Sequence, residues 1–303
     1  MYHSAQLILL ALFFIVSSCQ AQPQEEGYSS TIRSSNDFND YWYAGKAEIA
    51  SYTLEQSRYG EIHQGHAVLI FVTEDFSKSK QVKLDYPQRV LKDKVGVLKL
   101  NFTKKFNTGI YPYSMMQSIF TPIDRNKHRS SLKTTMSSQE WCGHTFTQLN
   151  LKKDAYDVTS YSYFEQEGDK QLTINKILLE DEVWNLIRLA HKSLPTGEVD
   201  IIPGIFYSRL LHHPLKATTA NASITEKDGE ITYLLDYKKE NRSLSISFEK
   251  SFPHKVLSWQ ETTTGLGGKS LTTKATLKKT LHTDYWNKNN NKDLYLRDSL
   301  ELK

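Results

Sequence analysis

The 303-residue sequence has little of what several protein classes require. Its two cysteines are too few for a disulfide scaffold or a four-cysteine zinc site. Its 14 glycines and 8 prolines lie below the usual shares of about 7% and about 5%, which excludes collagen-like and low-complexity chains. The formal net charge is only +4, so nothing points to nucleic acid as a partner. In contrast, 17 Tyr, 13 Phe and 5 Trp are far more aromatic residues than a disordered chain carries.

Long apolar runs are also scarce, and the longest lies near the N-terminus. Leu7 to Val16 are ten consecutive apolar residues, about half of the roughly 20 that a membrane span needs. Val16-Ser17-Ser18-Cys19 follows in the order of a bacterial lipobox, in which small residues give the signal peptidase access to the backbone. The sequence therefore predicts a signal peptide over 1–18 and lipidation of Cys19, which would anchor the protein without a transmembrane helix.

The residues around this motif leave an alternative open. Met1 to Gln6 contain no Lys or Arg, and a plain secretory signal cleaved after Ala21 fits the same run. Residues 19–40 have the polar composition of a flexible tether. Gln20 after the cysteine is compatible with sorting to the outer membrane, facing either the periplasm or the outside.

The body, 41–285, has the alternation of apolar and polar residues that is typical of β-strands. Ala67 to Val72 form a short apolar run of the kind found in buried strands, and Asp228-Gly229 indicates a hairpin turn. The pattern predicts a mainly β fold with a large curved antiparallel sheet, as an open barrel or a sandwich with one wet face.

One amphipathic helix is predicted near 180–194, covering one face of the sheet. Acidic residues open it at Glu180-Asp181-Glu182, an apolar stripe runs along it, and Pro195 ends it. A weaker second helix is predicted at Tyr113–Phe120. The main helix could divide the body into halves, 41–175 and 196–285, or one sheet could run through both. Residues 286–303 have the composition of a polar, solvated tail.

Two resemblances bear on the class of protein. The first is carried by Tyr41-Trp42-Tyr43 with Lys46 and Glu48, and by Gln139-Glu140-Trp141-Cys142-Gly143-His144. These segments resemble an uncharacterised lipoprotein family of Bacteroidota, and the resemblance covers nearly all of the chain after the signal. The second is carried by the helix and by Asp200 to Arg209, which is similar to DUF3108-type envelope β-proteins. That resemblance implies a curved antiparallel sheet like that of the LolA-like lipoprotein carriers.

Members of the first family are sometimes labelled septum formation inhibitor Maf. True Maf proteins are α/β nucleotide pyrophosphatases that open with a Ser-rich motif directly after the first strand. This chain has no such start and no alternating βα pattern, and it carries an export signal. The sequence therefore argues against that activity.

The densest chemical constellation is Glu140, Cys142 and His144. On a strand, the two-residue period would place all three on one face, as a nucleophile–base set or as three Zn²⁺ ligands. Packing of a small buried cysteine beside Trp141 is the alternative. His63 and His66, three residues apart, and the adjacent pair His212-His213 point to opposite faces of an extended chain, which disfavours a metal. We expect no metal and no cofactor.

An aromatic and Met-rich segment offers Tyr111, Tyr113, Met115 and Met116 as residues that line a hydrophobic pocket, with ordinary core packing as the alternative. The leading functional hypothesis is therefore an outer-membrane-anchored lipoprotein that binds a hydrophobic ligand, a lipid or a glycolipid, or acts as a scaffold. The alternative is an envelope hydrolase or metal-dependent enzyme that uses Glu140, Cys142 and His144, with help from His63. Neither hypothesis fixes the oligomeric state.

Overall fold

A computed structural model describes residues 36–264 and 268–302. The predicted signal peptide, Cys19 and most of the tether lie outside the described residues. The strands are β1 (Ala47–Arg58), β2 (Glu61–Ser77), β3 (Val82–Lys83), β4 (Lys94–Thr108), β5 (Tyr111–Pro122), β6 (Lys133–Glu140), β7 (Gly143–Leu151), β8 (Ala155–Ser162), β9 (Lys170–Asn175), β10 (Leu178–Leu179), β11 (Gly197–Ile202), β12 (Thr218–Lys227), β13 (Glu230–Tyr237), β14 (Arg242–Glu249), β15 (Val256–Thr264) and β16 (Ser270–Thr283). The helices are α1 (Asn36–Trp42), α2 (Glu180–Ala190), α3 (Ile205–Leu211) and α4 (Tyr295–Ser299). The predicted mainly β fold is confirmed.

All the strands belong to one open sheet, which is antiparallel except for the short β10–β11 pair. Strands β1 to β9 form one arm of the sheet in chain order, except that the short β3 pairs only with β2. Strands β10 to β16 form the other arm, and the pairing of β1 with β16 joins the two arms. The sheet therefore continues across both proposed halves of the body. The edge strands β9 and β10 are separated only by Lys176 and Ile177, so their facing ends lie within about 11 Å. We call the gap between these two edges the seam.

The inner face of the sheet carries the main core. Leu98, Leu100 and Phe102 of β4 are at most 2% exposed and pack in one cluster with α2, as their alternation predicts. Trp184 of α2 meets Phe102 and Trp259 with ring centroids 5.1 and 5.3 Å apart. The sheet interior is thus filled by α2 and α3 rather than left open.

The predicted covering helix is confirmed, and two other local predictions differ from the structure. The helix prediction at Tyr113–Phe120 is wrong, because Tyr113, Met115 and Ile119 are buried at the two-residue period of strand β5. The tail is not a solvated loop throughout. It folds into α4, and Leu300 and Leu302 pack against Ile49 and Val68 on the outer face.

Two shorter segments also bear on the predictions from sequence. The Asp228-Gly229 hairpin turn is confirmed, and both residues have positive φ, 52° and 81°, as a type I′ turn requires. At the other end of the body, α1 begins before Tyr41, within the predicted tether. Phe38 of this helix is buried in the main core, so the folded part starts earlier than the composition indicates.

Candidate functional site

Glu140, Cys142 and His144 do not share a face. Strand β6 ends at Glu140 and β7 begins at Gly143, so Trp141 and Cys142 form the turn of a hairpin. Glu140 is buried on the inner side, whereas Cys142 and His144 are exposed and border a shallow hollow on the outer face. The expectation that the three side chains share one face is wrong, because a hairpin turn replaces the continuous strand on which the two-residue spacing depends.

Glu140 instead holds the turn and disfavours ionisation of the Cys142 thiol. One carboxylate oxygen, Oε2, accepts a hydrogen bond from the Cys142 backbone N–H at 2.6 Å. A hydrogen bond with the Glu140 carboxylate raises the pKa of the Cys142 thiol, so the nucleophilic thiolate is disfavoured. Within the described residues, no group of three or more His, Cys, Asp or Glu side chains is placed to hold a metal ion.

The histidine pairs are likewise occupied in local contacts. His63 Nε2 lies 3.1 Å from the Arg58 carbonyl oxygen. His212 has positive φ, and its Nδ1 lies 2.6 Å from Glu167 Oε1. The His213 ring stacks on the Tyr207 ring, with the ring centroids 5.2 Å apart. Three of these four histidines thus have local partners, and the two pairs lie at different points of the fold.

The aromatic and Met-rich segment is split between core and surface. Tyr113 and Met115 are 2% and 1% exposed on the inner face, and Tyr113 stacks on Phe106 at 4.8 Å. Tyr111 is half-buried at the rim, and Met116 is 40% exposed on the outer face. The structure thus assigns Tyr113 and Met115 to packing, and the segment as a whole does not form one pocket wall.

A buried charge cluster lies where α2 begins. Arg242 Nη2 donates to Glu180 Oε1 at 2.6 Å, and Arg242 Nε donates to Glu261 Oε1 at 2.8 Å. Tyr237 OH donates to Glu180 at 2.5 Å. The three acidic residues that open the helix are all buried. The sequence indicates only their favourable interaction with the helix dipole, because these partners are distant in the chain.

Two groups beside this cluster have altered proton affinities. Burial raises the pKa of Asp181 to about 7 and lowers the pKa of Lys104. Both side chains line an internal cavity of about 20 Å³, which is the size of one water molecule. This cavity is too small for a substrate.

A groove of about 550 Å³ lies against the arm of the sheet that ends at β9. Its floor is the inner face of β6 to β9, and its other wall is α3 with the loop 212–215. The groove includes the apolar side chains of Met136, Val158, Phe164, Leu172, Ile205 and Leu215. No local sequence signal marks it, because α3 is a seven-residue helix directly after Pro203-Gly204.

Arg209 of α3 is a buried cation in this groove, whose lining also includes Glu165, Glu167 and Lys170. Its side chain is only 4% exposed, and its guanidinium lies 4.3 Å from the centroid of the Phe164 ring. Glu167 and Glu140 lie 3.6 and 4.0 Å from its Nη atoms, which is longer than a good hydrogen bond. Within the described residues, its Nε and Nη2 have no hydrogen-bond partner, and neither do the hydroxyls of Ser208 and Thr145. The site therefore combines apolar walls with unused buried donors.

Comparison with known proteins adds no assignment to this geometry. No family model matches the chain, and no curated protein matches it at a significant level. Among the described residues, no helix combines the length and apolarity needed to cross a bilayer.

Proposed function

We propose that the protein is an outer-membrane-anchored lipoprotein whose groove between β6–β9 and α3 binds an amphipathic ligand with an acidic head and an apolar tail. The lipobox at Cys19 supports the anchor, and the groove supports the ligand. The observation that carries the ligand class is the buried Arg209 guanidinium with two unpartnered donor atoms at the edge of an apolar space.

The apolar side of the groove suits a hydrocarbon chain. Its volume of about 550 Å³ falls within the range of roughly 300–1,000 Å³ typical of small-molecule sites. Val158 and Ile205 are at most 2% exposed and form opposite walls, whereas Leu172 is 36% exposed on β9 at the open side. An acyl chain placed here would remove this partly exposed apolar surface from water.

The polar side of the groove suits a carboxylate or a phosphate. A buried donor without a partner costs free energy that a ligand can recover by accepting its hydrogen bond. An arginine guanidinium presents donors in a planar fork that matches both acidic groups. The Ser208 and Thr145 hydroxyls line the same groove and supply two further donors.

Ligand binding is tested first with protein purified from membranes without denaturant. Native mass spectrometry should detect a bound small molecule. A fluorescent long-chain fatty acid should bind, and the free acid should displace it at about tenfold lower concentration than its methyl ester, because the ester lacks the charge that Arg209 pairs with. A protein that carries no ligand and binds neither compound leaves only the scaffold role.

A matched pair of substitutions locates the binding. Leu172→Trp narrows the groove and should weaken fatty-acid binding. Ile224→Trp changes a residue of similar exposure, 38% against 36%, on a strand that does not line the groove, and should leave binding unchanged. Equal effects of the two substitutions would place the binding elsewhere.

A further inference from the structure

One end of the sheet is strongly basic. Four connections meet there, at 78–93, 123–132, 152–154 and 176–177, and together we call them the basic end. They contain eleven Lys and Arg residues against four Asp residues, whereas the whole chain has a net charge of only +4. The remainder of the chain is therefore net acidic, and the positive charge is concentrated on this end.

The basic end encloses a cleft of about 730 Å³. Its charged rim consists mainly of cations, namely Lys78, Lys127, Arg129, Lys152, Lys153 and Lys176. Its lining includes a single carboxylate, Asp93, which already accepts a hydrogen bond from the Ser79 backbone N–H at 2.8 Å. Within the part of the chain that the structure describes, Lys78, Arg129, Lys152 and Lys153 form no ion pair, so their charge is available to an outside partner.

Exposed apolar side chains lie among these cations. In the 78–93 connection, Leu91 is 69% exposed, Tyr86 58% and Val90 40%. The Arg89 guanidinium lies 4.5 Å from the centroid of the Tyr86 ring. Aromatic and aliphatic side chains interleaved with Lys and Arg are typical of segments at a membrane–water interface, where the ring enters the headgroup region and the cations meet phosphates.

The chain enters the folded body at this same end. Helix α1 leads into β1, whose residue Glu48 pairs with Phe71 shortly before β2 runs into Lys78. The Trp42 carbonyl accepts a hydrogen bond from Thr73 Oγ1 at 2.7 Å, which fixes α1 beside β2. Cys19 precedes α1 by seventeen residues, which can span at most about 60 Å. An anchored protein therefore has this end within reach of the bilayer.

We propose that the basic end docks on the phosphate headgroups of anionic lipids in the membrane that holds the anchor. This inference rests on the proposed lipid anchor at Cys19. Charge complementarity selects anionic over zwitterionic lipids, and the exposed Tyr86 and Leu91 add apolar contact. Docking turns a tethered body into an oriented one, with the opposite end of the sheet directed away from the bilayer.

The test uses the lipidated protein inserted into two kinds of vesicle. One is phosphatidylcholine alone, and the other contains equal parts of phosphatidylcholine and phosphatidylglycerol, so the anchor is constant and only the surface charge changes. Hydrogen–deuterium exchange of the basic end should slow about fivefold or more on the anionic vesicles, since each cation near the surface favours contact by roughly that factor. The turns at Tyr59-Gly60 and Lys238–Glu240, at the other end of the sheet, should not change.

Two charge-reversal variants, one at the basic end and one elsewhere, form a test and its matched control. Lys78→Glu, Arg129→Glu and Lys152→Glu together should abolish the difference between the vesicles. Lys216→Glu, Lys239→Glu and Lys274→Glu change the net charge equally but lie away from the basic end, and this variant should keep the difference. Thermal unfolding in solution verifies that both variants are folded.

The outcomes separate the two proposals. Equal exchange on both vesicle types, with the protein still attached, overturns docking and leaves the anchor intact. Protection confined to 163–169, beside the groove, indicates lipid binding there and also overturns docking. A protein that attaches to neither vesicle type overturns the anchor and docking together.

Discussion

Arg188 of α2 and Glu48 of β1 form a bidentate ion pair inside the sheet. Nη1 and Nη2 of the guanidinium donate to Oε1 and Oε2 of the carboxylate, both at 2.7 Å, and both side chains are at most 1% exposed. Burial raises the pKa of Glu48, but the charge and hydrogen bonds of Arg188, together with the Tyr41 hydrogen bond and the Lys255 charge, lower it by more, so the carboxyl group stays ionised. The pair joins residues 140 positions apart and fixes the helix against the strand that connects the two arms.

Breaking this pair on one side should destabilise the protein strongly. Glu48→Ala leaves a buried guanidinium without its counter-ion, and we expect a loss of about 3–5 kcal/mol in the free energy of unfolding. Urea denaturation measures it. Glu48→Leu combined with Arg188→Met removes both charges and should lower the free energy of unfolding clearly less than Glu48→Ala does. A double variant as unstable as the single one would contradict this account.

Asp181 should make stability fall as the pH rises. Its pKa of about 7 in the folded protein exceeds the ordinary value of 3.8, so between these values the folded state holds a proton that the unfolded state has released. The folded state is therefore progressively disfavoured from about pH 4 to pH 7. Asp181→Asn removes this cost. Between pH 4 and pH 7, the free energy of unfolding of the variant should therefore rise relative to that of the wild type by up to roughly 4 kcal/mol.

The comparison with the variant is needed because histidines act in the opposite direction. Burial lowers the pKa of His191 to about 4, so protonation of the unfolded state favours unfolding as the pH falls below 6.5. The pH dependence of the wild-type free energy of unfolding combines both effects. The difference between the two urea denaturation curves isolates Asp181, and a difference that is constant from pH 4 to 7 would rule out its titration.

Gly204 should not tolerate a side chain. A Cβ atom there would lie 2.5 Å from Glu180 Oε1 and 3.2 Å from Asp181 Oδ1, so the carboxylate that binds Arg242 would have to move. We expect Gly204→Ala to cost about 1–3 kcal/mol in thermal or urea unfolding. Gly96→Ala is the control, because its nearest neighbours lie 3.9 and 4.0 Å away, and it should be close to neutral.

Cys142 should react slowly with alkylating reagents for an exposed thiol. Glu140→Gln removes the carboxylate that raises its pKa, and the rate of iodoacetamide modification at neutral pH should rise several-fold. Glu167→Gln is the matched control, since Glu167 also lies beside Arg209 but does not contact Cys142. Equal modification rates in these two variants would show that the thiol does not sense Glu140.

Cys19→Ser tests the anchor. Without the thiol no diacylglyceryl group can be attached, and the lipobox peptidase has no lipidated substrate. The variant should leave the outer-membrane fraction after cell fractionation, and the wild-type protein should carry the added lipid mass at its N-terminus. A serine variant that remains in the outer membrane would require another mode of attachment.

Periodicity accounts for what could be predicted from the sequence. The apolar stripe of α2 and the alternation of Leu98, Leu100 and Phe102 are local patterns, and both led to correct elements. The Arg188–Glu48 pair and the groove around Arg209 depend on contacts between distant segments, which no local pattern encodes. Glu140 and His144 were misplaced because a two-residue turn carries no periodicity, and it moved them to opposite faces.

The seam leaves β9, which borders the groove, as an edge strand. Elsewhere in the sheet, separating neighbouring strands breaks a ladder of backbone hydrogen bonds, but in the described chain no such ladder joins β9 to β10. The opposite wall of the groove, α3 with the loop 212–215, contacts Glu167 through side chains, so this wall can loosen while the paired strands stay intact. Under the proposed function, a ligand that approaches from the β9 edge would separate no backbone-paired strands.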